Sequence, residues 1–116
     1  MNVYEDFLET RKKVSIEVLE EYSLPKIVGM ELGDVIGEYS KIKYNFESIQ
    51  KEYDSYLNRN KNPDVLQKEI YWKELKNLRG KLLSLSYAPA LDANKTLQLD
   101  ILSLEKEVCN FLSKSK

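Results

Sequence analysis

Four acidic residues have the spacing expected of ligands for a divalent metal ion. Glu17 and Glu20 are three residues apart, as are Glu31 and Asp34. Carboxylates three residues apart lie on one face of a helix, so two such pairs on antiparallel helices could converge. Carboxylate oxygens are ligands that Mg²⁺ prefers. The spacing is therefore compatible with a magnesium site.

The second pair lies in the string ELGDV at residues 31–35, and the first in EVLE at 17–20. Together they resemble the ExxE and ExxD motifs of the MazG family of all-α nucleoside triphosphate pyrophosphohydrolases. The resemblance implies Mg²⁺-dependent catalysis with the four carboxylates as metal ligands. Leu32 and Val35 also belong to a hydrophobic repeat, which accounts for the string without a metal. We therefore expect no enzymatic activity and no cofactor, with hydrolysis as the alternative.

Other catalytic chemistry lacks its usual residues. The chain contains no histidine and one cysteine, Cys109. Without histidine there is no Ser-His or Cys-His nucleophile pair, and the commonest zinc ligand is missing. A glycine-rich phosphate-binding loop is absent as well. Cys109 follows a predicted core position, so we interpret it as a half-buried packing residue.

The overall composition predicts one cytoplasmic domain that binds no nucleic acid. The 116 residues fit a single domain, and the 18 basic and 19 acidic side chains are intermixed. No basic cluster offers an electrostatic footprint for DNA or RNA. The sequence contains no run of 18 apolar residues, the length needed to span a membrane, and the N-terminus lacks the pattern of a signal peptide. We therefore expect no membrane insertion.

Hydrophobic periodicity predicts four helices at about residues 2–22, 24–58, 63–87 and 89–112. The second helix carries the longest repeat, with apolar residues alternating four and three apart: Val28, Leu32, Val35, Tyr39, Ile42, Phe46, Ile49, Tyr53 and Tyr56. The third and fourth helices repeat it at Tyr71, Leu75, Leu78, Leu82 and Leu85, and at Leu97, Ile101, Leu104, Val108 and Phe111. The predicted fold is all-α, an elongated antiparallel helical hairpin or four-helix bundle.

Three glycines lie four residues apart inside the predicted second helix: Gly29, Gly33 and Gly37. Each costs about 1 kcal/mol relative to alanine inside a helix. One interpretation is that this stripe receives a second helix at close range, from a partner or a symmetry-related copy. The other is that the first helix of the same chain covers it, or that the helix breaks there.

The predicted partner-binding surface adds apolar and aromatic residues to the glycines. Met30 and Ile36 interleave with the stripe, and Tyr44, Trp72 and Tyr87 are further candidates. Tyrosine and tryptophan suit such surfaces because one end of the ring is apolar and the other polar. The apolar repeats of the helices form what we call the seam. Its residues Tyr39, Tyr53 and Tyr56 are expected in the core. For Trp72, a core position and a surface position agree equally well with the sequence.

Three stretches from about residue 35 onward form a further pattern: residues 41–50, the polar loop before Pro63, and Tyr87-Ala88-Pro89 leading into 97–108. In these stretches the chain resembles the YlbF/YmcA family of small helical regulators of low-GC Gram-positive bacteria. This implies a helical hairpin acting as a subunit of a multi-protein assembly. We therefore expect a non-enzymatic interaction module, a bacterial regulatory or adaptor subunit that binds partner helices or self-associates. An immunity-type or secretion-partner helical protein is a further alternative.

Overall fold

A computed structural model describes residues 18, 21–60, 62 and 64–115. Its elements are α1 (Leu24–Gly29), α2 (Leu32–Arg59), α3 (Val65–Leu85), a 3-10 helix (Pro89–Ala93) and α4 (Lys95–Ser115). No strand occurs within these residues, so the predicted all-α class is confirmed. The predicted first helix lies mostly outside them, although Val18 and Glu21 are helical. No helix in the described part of the chain has the length and apolar character to cross a membrane.

Helices α2, α3 and α4 pack in an antiparallel order along the chain. The ring of Tyr53 meets that of Tyr71 with centroids 5.5 Å apart, joining the end of α2 to the start of α3. Arg79 of α3 donates to Glu105 of α4 at 2.6 Å. The protein measures 48 × 24 × 22 Å with a radius of gyration of 15.2 Å. A compact globule of this length has a radius of gyration of about 13 Å, so the shape is elongated.

The core is formed by the seam residues that the periodicity predicts. On α3 and α4 the buried positions include Leu75, Leu82, Ile101 and Val108, each 0% exposed. On α2 the buried seam residues are Val35, Ile42, Phe46, Ile49 and Tyr53. Tyr39, Tyr56, Tyr71 and Phe111 are half-buried at the seam's edges. Packing of these apolar rows against one another holds the three long helices together.

The second predicted helix is interrupted, which changes which residues face the core. Met30 and Glu31 have extended backbones, with ψ of 134° and 164°, and separate α1 from α2. The helical repeat therefore does not run through this point. Ile27 is buried at 1% exposure, whereas the predicted seam residue Val28 is 57% exposed.

Side-chain caps start α3 and α4. Asp64 accepts a hydrogen bond from the Leu66 backbone N–H at 2.9 Å, and Asn94 accepts one from that of Leu97 at 3.1 Å. The predicted final helix is thus two elements, because the 3-10 helix that begins at Pro89 ends before the Asn94 cap. Helix α4 runs to Ser115, beyond the predicted end at 112.

Candidate interaction face

The candidate site is the outer face of α2, defined by Gly33, Ile36, Gly37, Ser40 and Tyr44. Gly33, Gly37, Ser40 and Tyr44 lie on the side of α2 opposite the core row, and Ile36 lies beside them, since a helix turns 100° per residue. All five are exposed. Ile36 is 45% exposed and Tyr44 is 70% exposed. The five residues therefore carry no formal charge and include two large apolar side chains, while the exposed Lys41 lies at the edge of the face.

A groove between α1 and α2 opens beside this face. It has a volume of about 460 Å³ and is lined by Lys26, Gly29, Met30, Gly33, Asp34, Gly37 and Glu38. A Cβ atom added at any of the three glycines would have no described atom within 4 Å beyond the helix's own backbone. All three glycines are exposed. Within the described part of the chain the stripe is therefore open, and no side chain packs into it.

The acidic pair of the ELGD string caps α2 where this helix begins, directly after the break that borders the groove. Glu31 is the N-cap of α2 and Asp34 its third residue, and the two form a capping box. The Glu31 backbone N–H donates to Asp34 Oδ2 at 3.0 Å. A carboxylate in the first turn also interacts favourably with the positive end of the helix dipole. This cap gives Asp34 a structural role without a metal ion.

One wall of the groove is fixed by a buried tyrosine. Tyr22 is 1% exposed, and its hydroxyl donates to Glu38 Oε2 at 2.5 Å. Lys26 Nζ lies 5.1 Å from the centroid of the Tyr22 ring. Burial, and then the bond to Glu38, raise the pKa of Tyr22 well above its usual range. The phenol therefore stays protonated at neutral pH and remains the donor to Glu38.

The structure brings together some of the predicted partner-binding residues and separates others. Gly29, Gly33 and Gly37 line the groove. Met30 also lines the groove, although it is 9% exposed and packs in the core. The reason is the break at residues 30–31, which turns its side chain inward from the surface of α1.

Trp72 and Tyr87 lie on other elements. Trp72 is half-buried on α3 and packs against the core, with its Nε1 buried and without a hydrogen-bond partner within the described residues. Tyr87 is half-buried in the turn after α3. Because neither residue is on α2, neither belongs to its outer face.

The four predicted metal ligands are only partly described. Glu17 and Glu20 lie outside the described residues. Glu31 and Asp34 are exposed, and their hydrogen bond joins them to each other. Among residues 18, 21–60, 62 and 64–115, no three acidic or cysteine side chains are grouped so that they could hold a metal ion.

The periodicity did not single out a second apolar patch at the start of α3. Val65, Leu66 and Ile70 are 61%, 69% and 52% exposed. Leu66 and Ile70 are four residues apart and lie off the row that begins at Tyr71. The sequence nevertheless indicated that these three apolar residues are exposed, because they fall outside the four-three spacing that defines the core.

Comparison with known proteins found no relative of this chain. No family model matches the chain, and neither a curated protein nor a solved structure matches it.

Proposed function

We propose that this protein is a non-enzymatic interaction module that binds a helix of another protein chain on the outer face of α2. The observation that carries the proposal is the exposure of Ile36 and Tyr44, two large apolar side chains on the outer face of α2. Exposed apolar surface of this kind is typical of sites where proteins meet. A small cytoplasmic regulatory or adaptor subunit of a bacterium is the role that agrees with it.

Gly37 supports the proposal through its cost in stability. It lies inside α2, where glycine costs about 1 kcal/mol relative to alanine, and a small domain has only about 5–15 kcal/mol of total stability. Gly29 is the last residue of α1 and Gly33 lies in the first turn of α2, so the break between the two helices accounts for both. Close packing inside a fold offsets that cost in many helices. Here the space above each glycine is open within the described residues. A helix of a partner, with its backbone close to α2, would supply that packing.

The groove walls favour a partner helix that carries both apolar and basic side chains. Asp34 and Glu38 stand on the α2 wall and Lys26 on the α1 wall. Met30 supplies the apolar part of the lining. An amphipathic helix placed in the groove would bury apolar side chains against Met30 and keep basic side chains near the two carboxylates.

Site-specific photocrosslinking in cells that express the protein tests this proposal. A photoreactive amino acid replaces Tyr44 in one variant and Leu99 in a matched control. Both side chains are exposed, at 70% and 65%, but Leu99 lies on α4. We expect a covalent adduct of defined mass from position 44 and none from position 99. Equal adducts from both positions, or none from position 44, would contradict the assignment of the face.

A further inference from the structure

The outer face of α2 carries both a projecting side chain and a recess that fits it. Tyr44 is 70% exposed and is the most exposed large apolar side chain among the described residues. The groove of about 460 Å³ beside Gly33 is large enough for an aromatic ring. Its walls carry Lys26, Asp34 and Glu38, which offer polar groups to a phenol oxygen. A tyrosine suits such a recess because its ring is apolar and its tip forms hydrogen bonds.

The spacing of the outward residues makes this fit reciprocal between two copies of the chain. Gly33, Gly37, Ser40 and Tyr44 are separated by four, three and four residues. When two such helices run antiparallel about the midpoint of Gly37 and Ser40, Tyr44 of each copy faces Gly33 of the other. Gly37 likewise faces Ser40. Every layer then pairs a glycine with a larger side chain, as a two-fold interface requires of a self-complementary surface.

The charges beside the face agree with the same arrangement. Asp34, Glu38 and Lys41 lie along one edge of the outer face of α2, because they are four and three residues apart. In an antiparallel pair of helices, the same edge of each helix meets its counterpart. Lys41 of one copy therefore comes opposite the space between Asp34 and Glu38 of the other. Two such sets per interface favour the antiparallel pair, since in a parallel pair this edge would meet the opposite edge of the second helix.

We infer that the outer face of α2 binds a second copy of this chain, in an antiparallel pair with Tyr44 of each copy in the other's groove. This inference rests on the proposed function, since both assign a helix partner to the same face. The contact involves about three turns of one helix from each copy. It therefore buries less surface than the roughly 800 Å² per partner of a standard interface. The dimer should therefore form reversibly and depend on protein concentration.

Sedimentation velocity over a range of concentrations tests the pairing. The wild type and the control Leu99→Ala should shift together from monomer toward dimer mass as concentration rises. Tyr44→Ala removes the projecting side chain and Gly33→Leu fills the recess, so both should remain monomeric. Circular dichroism should show unchanged helix in both, because Tyr44 is exposed and no described residue occupies the space above Gly33. Dimerisation of Tyr44→Ala at wild-type concentrations would overturn the inference.

Disulfide trapping in a Cys109→Ser background tests the orientation. An antiparallel pair places residue 37 of one copy beside residue 40 of the other, so the double variant Gly37→Cys and Ser40→Cys should crosslink into a covalent dimer. Each single variant should crosslink far less. Equal crosslinking by the single variants would show a parallel pair and overturn the inference.

The two experiments separate this inference from the proposed function. A wild type that stays monomeric up to millimolar concentration, together with an adduct of a different protein at position 44 in cells, would reject self-pairing. It would leave the binding of another chain supported. Absence of any adduct from position 44 would reject the proposed function, whatever the purified protein does.

Discussion

Helices α2 and α3 each contain one interior glycine, but Gly80 of α3 is buried, whereas Gly37 of α2 is exposed. Around Gly80 the outer side of α3 is covered as well as its core side. Ser84, one turn later, is 0% exposed, and Lys81 forms an ion pair with Glu21 at 3.1 Å. Gly80 of α3 is therefore covered, whereas the described residues leave the space above Gly37 of α2 open. This difference favours α2 as the surface for a partner.

Placing a large side chain at each kind of glycine tests this contrast most strongly. Gly80→Leu inserts a side chain into a buried site, and overpacking of this kind costs about 1–3 kcal/mol. Gly37→Leu adds one in open space and gains helix propensity worth about 0.8 kcal/mol. We expect the free energy of unfolding to fall by about 2 kcal/mol in the first variant and to rise slightly in the second, as measured by urea denaturation.

The contrast breaks if the two variants behave alike. Equal destabilisation by Gly37→Leu and Gly80→Leu would mean that the outer face of α2 is covered within the monomer. The wild-type protein at low concentration is the reference, so that self-association does not contribute to the measured stability.

Tyr22 sharpens the comparison, because it fixes the wall of the open groove from inside the core. Tyr22→Phe removes the donor to Glu38 and should lower the free energy of unfolding by about 1 kcal/mol, since Glu38 is half-exposed and regains water. Urea denaturation at pH 7 measures this loss. Phenylalanine retains the aromatic ring, so the apolar packing around position 22 should not change. An unchanged free energy of unfolding would contradict a stabilising role for the hydrogen bond.

The pH dependence of the same pair gives a second readout. The pKa of Tyr22 is raised in the folded protein, chiefly by burial. The unfolded state therefore loses this proton first, near pH 10. The contribution of Tyr22 is complete below that pH and is lost as pH rises further. The difference in stability between wild type and Tyr22→Phe should be constant from pH 6 to about pH 9 and shrink above it. A constant difference up to about pH 11 would contradict the buried phenol.

The sequence predicted the core of this fold better than its breaks. Leu75, Leu82 and Ile101 were placed correctly because four-three spacing reflects burial along a continuous helix. The exposure of Val28 was missed because the helix ends at Gly29. Glutamate is not among the preferred N-cap residues, so nothing in the local sequence marked Glu31 as a cap.

The candidate site was harder to predict, because it depends on what covers a face. Periodicity identified Gly33 and Gly37 as lying off the seam, but it left open whether another segment of the chain packs on them. Only the three-dimensional placement of α1 beside α2 shows a groove at these positions. The burial of Met30 was not predicted for the same reason as the exposure of Val28, since both follow from the break between α1 and α2 at residues 30–31.

The smallest expected effect concerns the acidic pair at the start of α2, and it separates a helix cap from a metal ligand. Asp34→Ala removes the acceptor of the Glu31 N–H and should lower the free energy of unfolding by about 0.5 kcal/mol, the low end for an exposed cap. Because the cap needs no metal, the loss should be the same with and without Mg²⁺ and a non-hydrolysable nucleoside triphosphate. Thermal denaturation of wild type, Asp34→Ala and Glu31→Gln under both conditions measures this. A rise of several degrees in the wild-type midpoint with Mg²⁺ and nucleotide, abolished by Glu31→Gln, would instead favour the hydrolase, because ligand binding stabilises only the state that holds the ligand.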